Sequence, residues 1–478
     1  MRIDALLPPT ARAARTLALT AVAALLAGCA TFSPDGGFGP VERSAQQRLG
    51  KDLQWARTPE QRAALDARVA ELLAQPLSAD AAVQLALLNH RGLQAGFYEL
   101  GVGEAELVQA GRLPNPGFSF GRFSRGDERE IERSLHLNLA RLLALPLAAP
   151  MERARFERVQ RRVTEQVLGV AADARKAWIA AVAADEALRY RLQVQTAAEA
   201  GAELARRMGA AGNWNVLNQA REQGFLADAT LGVARAQRAQ LAARERLTRL
   251  LGLWGAQTAF RLPERLPDLP AAALDAPDIE REAMASRLDV QAAKLESEAM
   301  ARQLGLNRVT RFVNVLDLGL EHNSSNEAPT QRGYEIGIEL PLFDWGGARV
   351  AKAEALYMQS VHRAAQTAID ARSEVREAYL GYRGAHDIAR HYRDEVVPLA
   401  KQVSDQNLLR YNGMLIGVFD LLADARAQIG AVGASIDALR DFWLADADLQ
   451  QALIGRPAMA APTGPAPSAP AAADAAAH

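Results

Sequence analysis

The side chains that most often carry out catalysis or bind metals form no recognisable cluster in this sequence. The seven histidines are scattered, and His386 and His391 are five positions apart, not the four that place a metal-binding pair on one helix face. Gly101 and Gly103 lack the third glycine of a dinucleotide-binding loop, and neither a phosphate-binding loop nor a nucleophile elbow occurs. We therefore expect no enzyme activity, no cofactor and no metal site.

One residue does have a setting that suits a chemical modification. Cys29, the single cysteine, follows the motif Leu-Ala-Gly, and an apolar run over residues 16–26 precedes it. The run is too short to span a bilayer but is typical of a signal peptide. We predict a lipoprotein signal peptide over residues 1–28 and lipid attachment at Cys29, and Ala30 favours sorting to the outer membrane. The alternative is an ordinary signal peptide with an incidental cysteine.

The composition excludes one broad class of partner. The formal net charge is −1, so the chain lacks the basic excess typical of a nucleic-acid-binding protein. Only 6% of the residues are aromatic, and alanine is abundant. Small side chains suit closely packed helices better than a globular core of large residues.

The stretch that organises the rest of the chain joins a strand to a helix. Over residues 334–340 the even positions are apolar and the odd positions are Glu or Gly, which predicts a strand with one apolar and one polar face. Pro341 ends this strand because it has no N–H to donate. A very long helix is expected to begin at Asp344 or Trp345.

The same plan occurs twice in the chain. Residues 211–221 align without a gap on residues 416–426, and residues 175–178 align on residues 376–379. We therefore predict the following segments: a signal peptide (1–28), a lipid-anchored linker and helix (29–77), a first repeat (78–260) with strands in 117–139 and helices in 151–251, a proline-rich linker (261–277), a second repeat (278–455) with strands in 312–340 and helices in 345–454, and a disordered Ala/Pro-rich tail (456–478).

The sequence Pro341-Leu-Phe-Asp-Trp-Gly-Gly-Ala-Arg349 closely resembles the strand-to-helix junction of the TolC-like outer-membrane efflux proteins, a family that includes outer membrane factor lipoproteins. The duplication and the segment Ala-Gly-Arg-Leu-Pro-Asn-Pro over residues 110–116 support the resemblance. It implies a fold that is mainly α with a small β part, in which a helix, a β-hairpin and a long helical hairpin are duplicated. A trimeric 12-stranded membrane β-barrel would continue into a periplasmic α-helical coiled-coil barrel.

The need to pair backbone hydrogen-bonding groups also favours a barrel formed by several chains. Backbone N–H and C=O groups in hydrocarbon must all be paired, so a membrane sheet has to close on itself. Closed membrane barrels begin at about eight strands, whereas one chain supplies only four. The alternative is a pair of ordinary amphipathic hairpins in a protein outside the membrane.

The resemblance also implies three groups of site residues. The junction is predicted to comprise Pro341, Phe343, Asp344, Gly346 and Gly347. The tips of the helical hairpins, expected to contact an adaptor protein, contain Arg207, Gly209, Gly212, Arg410, Tyr411, Gly413 and Gly417. The candidate gate comprises Asp420, Asp424 and Asn215, the last by its alignment on Asp420. The alternative for Asp420 is a helix N-terminal acid stabilised by the helix dipole.

The expected function is that of the exit channel of a tripartite efflux system, which passively conducts substrates to the outside of the cell. The expected partners are two further copies of the chain, a periplasmic adaptor, an inner-membrane pump and outer-membrane lipid. The chain would be lipid-anchored in the outer membrane of a Gram-negative bacterium and extend into the periplasm. The alternatives are a periplasmic adaptor lipoprotein and a structural coiled-coil protein of the envelope.

Overall fold

The computed structural model describes residues 31–309, 316–339 and 343–455. The predicted signal peptide, Cys29, Pro341 and the C-terminal tail lie outside these residues. Within them the chain is mainly helical with one small sheet, as the sequence predicts.

Two helices precede a duplicated arrangement of helices and strands. The N-terminal helices are α1 (Gly39–Leu49) and α2 (Pro59–Leu73). The first repeat contains α3 (Ala79–Asn89), α4 (Arg91–Ala110), β1 (Gly117–Arg125), β2 (Glu128–Asn138), α5 (Leu139–Ala210) and α6 (Val216–Leu250). The second contains α7 (Ile279–Ser286), α8 (Leu288–Val309), β3 (Leu316–Ser325), β4 (Gln331–Ile338), α9 (Gly347–His391), α10 (Val397–Asn412) and α11 (Val418–Ile454). One turn of π-helix, Tyr392–Val396, joins α9 to α10.

The helical segment that begins each repeat is interrupted once. In the first repeat His90 has an extended backbone, and its Nδ1 accepts a hydrogen bond from the backbone N–H of Leu93 at 3.3 Å. In the second repeat Arg287 has an extended backbone and a fully buried side chain. Neither residue is a helix breaker by propensity, so long-range packing decides both interruptions.

Helix α5 begins twelve residues earlier than predicted. Asn138 ends β2 and caps the helix directly, because its side-chain oxygen accepts a hydrogen bond from the backbone N–H of Arg141 at 2.7 Å. Pro146 and Pro150 lie inside α5 and do not precede it. They are four residues apart, so both missing N–H donors fall on one side of the helix. The first repeat therefore passes from strand to helix without the intervening loop found in the second.

The longest helix extends over most of the length of the molecule's helical part. Helix α5 has 72 residues, which corresponds to about 108 Å at 1.5 Å per residue. It packs along α6, and buried small side chains such as Ala198, Ala202 and Ala229 lie in the region between them. This close antiparallel packing is what the alanine-rich composition predicts.

Matching contacts at equivalent positions confirm part of the repeat alignment. Arg175 pairs with Asp80 at 3.1 Å, and its aligned partner Arg376 pairs with Glu280 at 2.7 Å. The aligned aromatic residues Trp178 and Tyr379 each form a hydrogen bond with the backbone just before the first helix of their repeat, although in opposite directions. The Trp178 indole N–H donates to the carbonyl of Leu77 at 2.7 Å, and the Tyr379 hydroxyl accepts from the backbone N–H of Ala276 at 3.2 Å.

The N-terminal segment packs against the first repeat and forms hydrogen bonds with it. Phe38 packs edge-on against Phe97, with ring centroids 5.0 Å apart. The backbone N–H of Ser33 donates to the buried Glu104 carboxylate at 2.6 Å. The carbonyl of Gly37 accepts a hydrogen bond from the Gln160 amide at 2.9 Å. Residues 33–56 therefore form part of the folded body.

The four strands form one antiparallel sheet in the order β1-β2-β3-β4. The hairpins of the two repeats join through β2 and β3, where Leu135 lies opposite Leu320. In the described part of the chain, no strand pairs with the outer edges of β1 and β4. The sheet therefore has two open edges.

Candidate functional site

One face of the sheet is polar and acidic. The register places on it Ser119, Gly121, Phe123, Arg125, Glu128, Glu130, Glu132, Ser134, His136, Asp317, Gly319, Glu321, Asn323, Gln331, Gly333, Glu335 and Gly337. Side-chain contacts confirm this assignment, because the Ser134 hydroxyl lies 2.7 Å from His136 Nε2. Every acidic residue of the four strands lies on this face.

The opposite face is apolar over the half of the sheet nearest the helices. Its apolar side chains are Phe118, Phe120, Leu135, Leu137, Leu316, Leu318, Leu320, Tyr334, Ile336 and Ile338. Several of them are largely exposed, including Phe118 at 68% and Tyr334 at 75%. An exposed apolar patch of this size marks a surface that another apolar phase covers.

The predicted junction in the second repeat is built as a turn. Gly346 has a φ of 73°, which a residue with a Cβ rarely adopts, and α9 begins at Gly347. The Asp344 carboxylate accepts a hydrogen bond from the N–H of Gly346 at 2.8 Å and holds the turn. Phe343 is fully exposed beside this turn, and Pro341 lies outside the described residues.

At the far end of the helices, the two hairpin tips have the same backbone structure. In the first tip the N–H of Asn213 donates to the carbonyl of Met208 at 3.0 Å. In the second tip the N–H of Leu415 donates to the carbonyl of Arg410 at 2.9 Å. Gly212 and Met414 occupy the left-handed position of each turn, with φ of 76° and 61°.

This geometry corrects the gap-free alignment of the tips. Asn215 caps α6 and Gly417 occupies the corresponding place before α11, so these two residues are equivalent. Asn218 therefore corresponds to Asp420. The gap-free alignment failed because it matched Ala-Arg at residues 220–221 with Ala-Arg at residues 425–426. The turns define a different register.

The candidate gate residues have distinct surroundings. Asp420 is exposed at the start of α11, and its carboxylate accepts a hydrogen bond from the N–H of Gly417 at 3.3 Å. Asp424 is half-buried and accepts a hydrogen bond from the Asn407 amide of α10. The Asn215 side chain accepts from the N–H of Asn218 at 2.8 Å. The structure thus places Asp420 and Asn215 at two separate helix starts.

The predicted tip residues lie among exposed apolar side chains. Arg207 pairs with Glu203 at 2.7 Å. Hydrogen bonds from the side chains of Arg206 and Arg207 lower the pKa of the Glu203 carboxyl to about 2. Gly209 allows α6 to approach closely, because a Cβ there would lie 3.0 Å from the Gln219 side-chain oxygen. Tyr411 and Gly413 belong to the end of α10 and its cap. The exposed apolar residues near the tips are Val216, Leu217, Leu408, Leu409, Met414 and Leu415.

A buried ion pair that was not predicted from the sequence joins the two helical hairpins near their tips. Glu222 of α6 is only 2% exposed and pairs with Arg426 of α11. The Arg426 guanidinium also lies 4.6 Å from the centroid of the Phe225 ring. A signal was available, since Glu222 precedes the buried Ala229 by seven residues and so occupies an apolar seam position.

A half-buried carboxyl, that of Glu165, lies on α5 beside a cavity of about 270 Å³. Burial, and to a smaller extent the nearby Asp289 carboxylate, raise the pKa of Glu165 to about 7. Its Oε1 atom is buried and accepts no hydrogen bond from the described part of the chain. Deprotonation of Glu165 therefore costs the folded state free energy.

We predict a pH-dependent stabilisation by Glu165→Gln. The folded pKa exceeds the unfolded value of about 4.5, so folding takes up a proton between pH 4.5 and 7, and the free energy of unfolding falls as the pH rises through that window. The variant should be more stable than wild type above pH 7, by about 1–3 kcal/mol for a partly buried group, and should lose this advantage below pH 4.5. Thermal unfolding at pH 4, 6 and 8 measures it, with Glu298→Gln as the exposed control. An equal effect of Glu165→Gln at all three values would contradict the assignment.

The described residues contain neither a membrane-spanning helix nor a metal-binding cluster. No helix among them is long and apolar enough to span a membrane. No three histidine, cysteine, aspartate or glutamate side chains in these ranges are grouped so that they could hold a metal ion.

Comparisons with known proteins agree with this geometry. Residues 280–453 match the outer membrane efflux protein family, whereas no curated protein matches the chain. The CmeC outer membrane channel of Campylobacter jejuni has 16% sequence identity and a TM-score of 0.67, over 85% of this chain and 91% of that one.

Two other solved structures are similarly close. The MtrE outer membrane channel of Neisseria gonorrhoeae, in its open state, has 18% identity and a TM-score of 0.64, over 78% of this chain and 88% of that one. The channel protein CusC has 17% identity and a TM-score of 0.65, over 79% and 92%. The resemblance found in the sequence is thus confirmed, and about four fifths of the chain has the fold of these channels.

Proposed function

Since its second repeat is an outer membrane efflux protein domain and its fold is that of outer-membrane channels, we propose that this chain forms the exit channel of a tripartite efflux system. The observation that carries the proposal is the open sheet, with one apolar and one acidic face, whose strands lead into helices about 100 Å long. The matching family is one of channels, not of enzymes.

The open edges support a barrel shared between copies. Strands β1 and β4 run in opposite directions, because each of the three intervening pairings is antiparallel. Strand β4 of one copy can therefore pair antiparallel with β1 of the next, as in every bacterial membrane barrel. Three copies close a barrel of about 12 strands with no free edge. The apolar face then meets lipid, and the acidic face lines water.

The fixed N-terminal segment supports lipid anchoring at Cys29. A Cβ on Gly37 would overlap the Phe156 ring, so the backbone at Gly37 lies directly against α5. Phe156 is 17 residues along α5 from Leu139, or about 26 Å from the strand-to-helix junction. The eight residues from Cys29 to Gly37 can span at most about 27 Å. A lipid on Cys29 can thus just reach the level at which the strands begin.

The tips support a gate and a docking surface. Asp420 side chains from three copies around one axis would attract cations and repel anions. The Glu222–Arg426 pair fastens one helical hairpin to the other inside each copy, so opening the tips by separating the hairpins requires this pair to break. The exposed apolar residues at the tips suit docking by a periplasmic adaptor, on which an inner-membrane pump would act.

We predict that Glu222→Gln increases channel opening. The substitution keeps the size of the side chain but removes its charge, and so weakens the tie between α6 and α11. At a buried site, losing one partner of an ion pair costs about 3–5 kcal/mol, most of it from the arginine left unpaired. Open probability in planar bilayers should therefore rise at least tenfold. Glu203→Gln, an exposed acid near the same tip, should leave the open probability unchanged. Equal open probability in wild type and Glu222→Gln would contradict this role.

Single-channel conductance of the purified, detergent-extracted protein tests the proposed function. Discrete, cation-preferring openings are expected from wild type, and Asp420→Ala is expected to reduce the cation preference. Identical openings in the variant would support the channel function but would show that Asp420 is not part of the gate. Protein that is trimeric and yet gives no openings would favour an adaptor or a structural coiled coil instead.

A further inference from the structure

The charged residues of the sheet are sorted between its two faces. The acidic side chains all lie on the face that bears Ser134, whereas four of the five arginines lie on the apolar face. These four form what we call the arginine band: Arg122, Arg129, Arg133 and Arg332. The fifth arginine, Arg125, points to the acidic face opposite Glu128.

The arginine band crosses the sheet near the hairpin turns. The register places Phe120, Arg133, His322 and Arg332 in a single cross-strand row. Arg122 lies two residues further along β1, and Arg129 lies four residues beyond Arg133 on β2. Because strand β4 of one copy adjoins β1 of the next in the proposed barrel, the band would continue around its whole circumference.

Three of these four arginines have no carboxylate partner among the described residues. Within the described residues no acidic side chain forms an ion pair with Arg122, Arg133 or Arg332, although ion pairs are frequent along the helices. Like charges on neighbouring strands destabilise a sheet, and all the nearby carboxylates face the other side. An anion from outside the chain that lies against these arginines would stabilise the arrangement.

The position of the arginine band along the barrel axis indicates which part of the membrane it contacts. Arg133 is six residues from the start of α5 at Leu139, or about 20 Å along the strand and about 15 Å along the barrel axis at the usual tilt. The apolar surface also continues past the start of α5, on the side away from the hairpin turns, because Leu143 in the first turns of this helix is 67% exposed. The band thus lies beyond the midplane of an apolar zone about 25 Å tall, on the side of the hairpin turns. Long arginine side chains there extend into the headgroup region.

We propose that the arginine band binds the phosphate groups of the anionic glycolipid in the outer leaflet of the membrane. Guanidinium groups pair with phosphate through two parallel hydrogen bonds, which suits a row of fixed arginines above an apolar surface. The acyl chains of the same lipid would lie on the apolar rows below, on Leu135, Leu320 and Tyr334. This inference rests on the proposed barrel and its orientation.

Native mass spectrometry of the delipidated trimer, titrated with diphosphoryl lipid A, tests the proposal. The double variant Arg133→Gln/Arg332→Gln should bind at least tenfold more weakly than wild type, since two charge-assisted contacts are lost. The matched control, Arg125→Gln, removes a charge at the same end of the sheet but on the opposite face and should bind as wild type does. Dephosphorylated lipid A should bind weakly to all three proteins.

The outcomes separate this inference from the proposed function. Equal binding by wild type and the double variant, or equal binding of phosphatidylglycerol and diphosphoryl lipid A to wild type, would overturn the inference and leave the channel intact. If the double variant does not assemble, Arg133→Lys/Arg332→Lys carries the test, with an expected loss of affinity smaller than tenfold. A chain that forms neither trimers nor pores would overturn the proposed function itself.

Discussion

Replacing Ile336 with arginine is expected to prevent the protein from assembling in the outer membrane. Ile336 lies on the apolar face of β4 and is 55% exposed in a single chain, opposite Leu318. In the proposed barrel this side chain faces lipid near the middle of the membrane. A cationic side chain there costs about 2–4 kcal/mol per copy, and three copies add their costs in one barrel. The stable trimer in the outer-membrane fraction should therefore be lost.

The neighbouring residue provides the matched control. Glu335 is adjacent in sequence, but its side chain lies on the acidic face beside Gly319. Glu335→Arg should assemble as wild type does, because a lumen-facing charge meets water, and it should reduce the cation preference of the pore. If Ile336→Arg and Glu335→Arg insert equally well, the assignment of the two faces to lipid and water is wrong.

Arg287→Met is expected to cause the largest loss of stability in the helical part. Arg287 is completely buried, and its guanidinium contacts Asp289 at 2.7 Å and Glu374 at 2.6 Å. It also donates to the carbonyl of Ala452 at 3.0 Å, so it connects α8, α9 and α11. Burial lowers the pKa of Arg287, but the two carboxylates outweigh this effect and raise it. Methionine fills similar space but removes the guanidinium from both acids, at a cost of about 3–5 kcal/mol.

The loss can be measured as a lower melting temperature and faster proteolysis of the detergent-extracted protein. Arg281→Met provides the control, because it also removes one positive charge. Arg281 is 77% exposed and, among the described residues, pairs only with the exposed Asp278, so its loss should cost less than about 1 kcal/mol. Similar melting of the two variants would show that Arg287 does not hold the three helices together.

The sequence allowed the fold to be predicted wherever a short-range pattern was decisive. Alternation over residues 334–340 identified β4, and the predicted helices of the second repeat end at residue 454, as α11 does. The prediction failed at the start of α5, because the cap at Asn138 begins the helix before Pro146 and Pro150. A sequence pattern also does not contain the contacts between distant residues.

The candidate site could be predicted only in part, for the same reason. The tips were found from their glycines, but the equivalence of Asn215 with Gly417 depends on turn hydrogen bonds that a sequence alignment does not contain. The Glu222–Arg426 pair joins residues about 200 positions apart, and no local pattern pairs them. Similarly, the sorting of charges between the faces became visible only when the register of all four strands was known.

The central claim is that one chain supplies a third of a closed barrel, and the mass of the detergent-extracted particle tests it most directly. Native mass spectrometry should give a particle of three chains, with each chain heavier than the unmodified polypeptide from Cys29 by the mass of its lipid. A stable monomer or dimer would leave the edges of β1 and β4 unpaired in the membrane and would contradict the account.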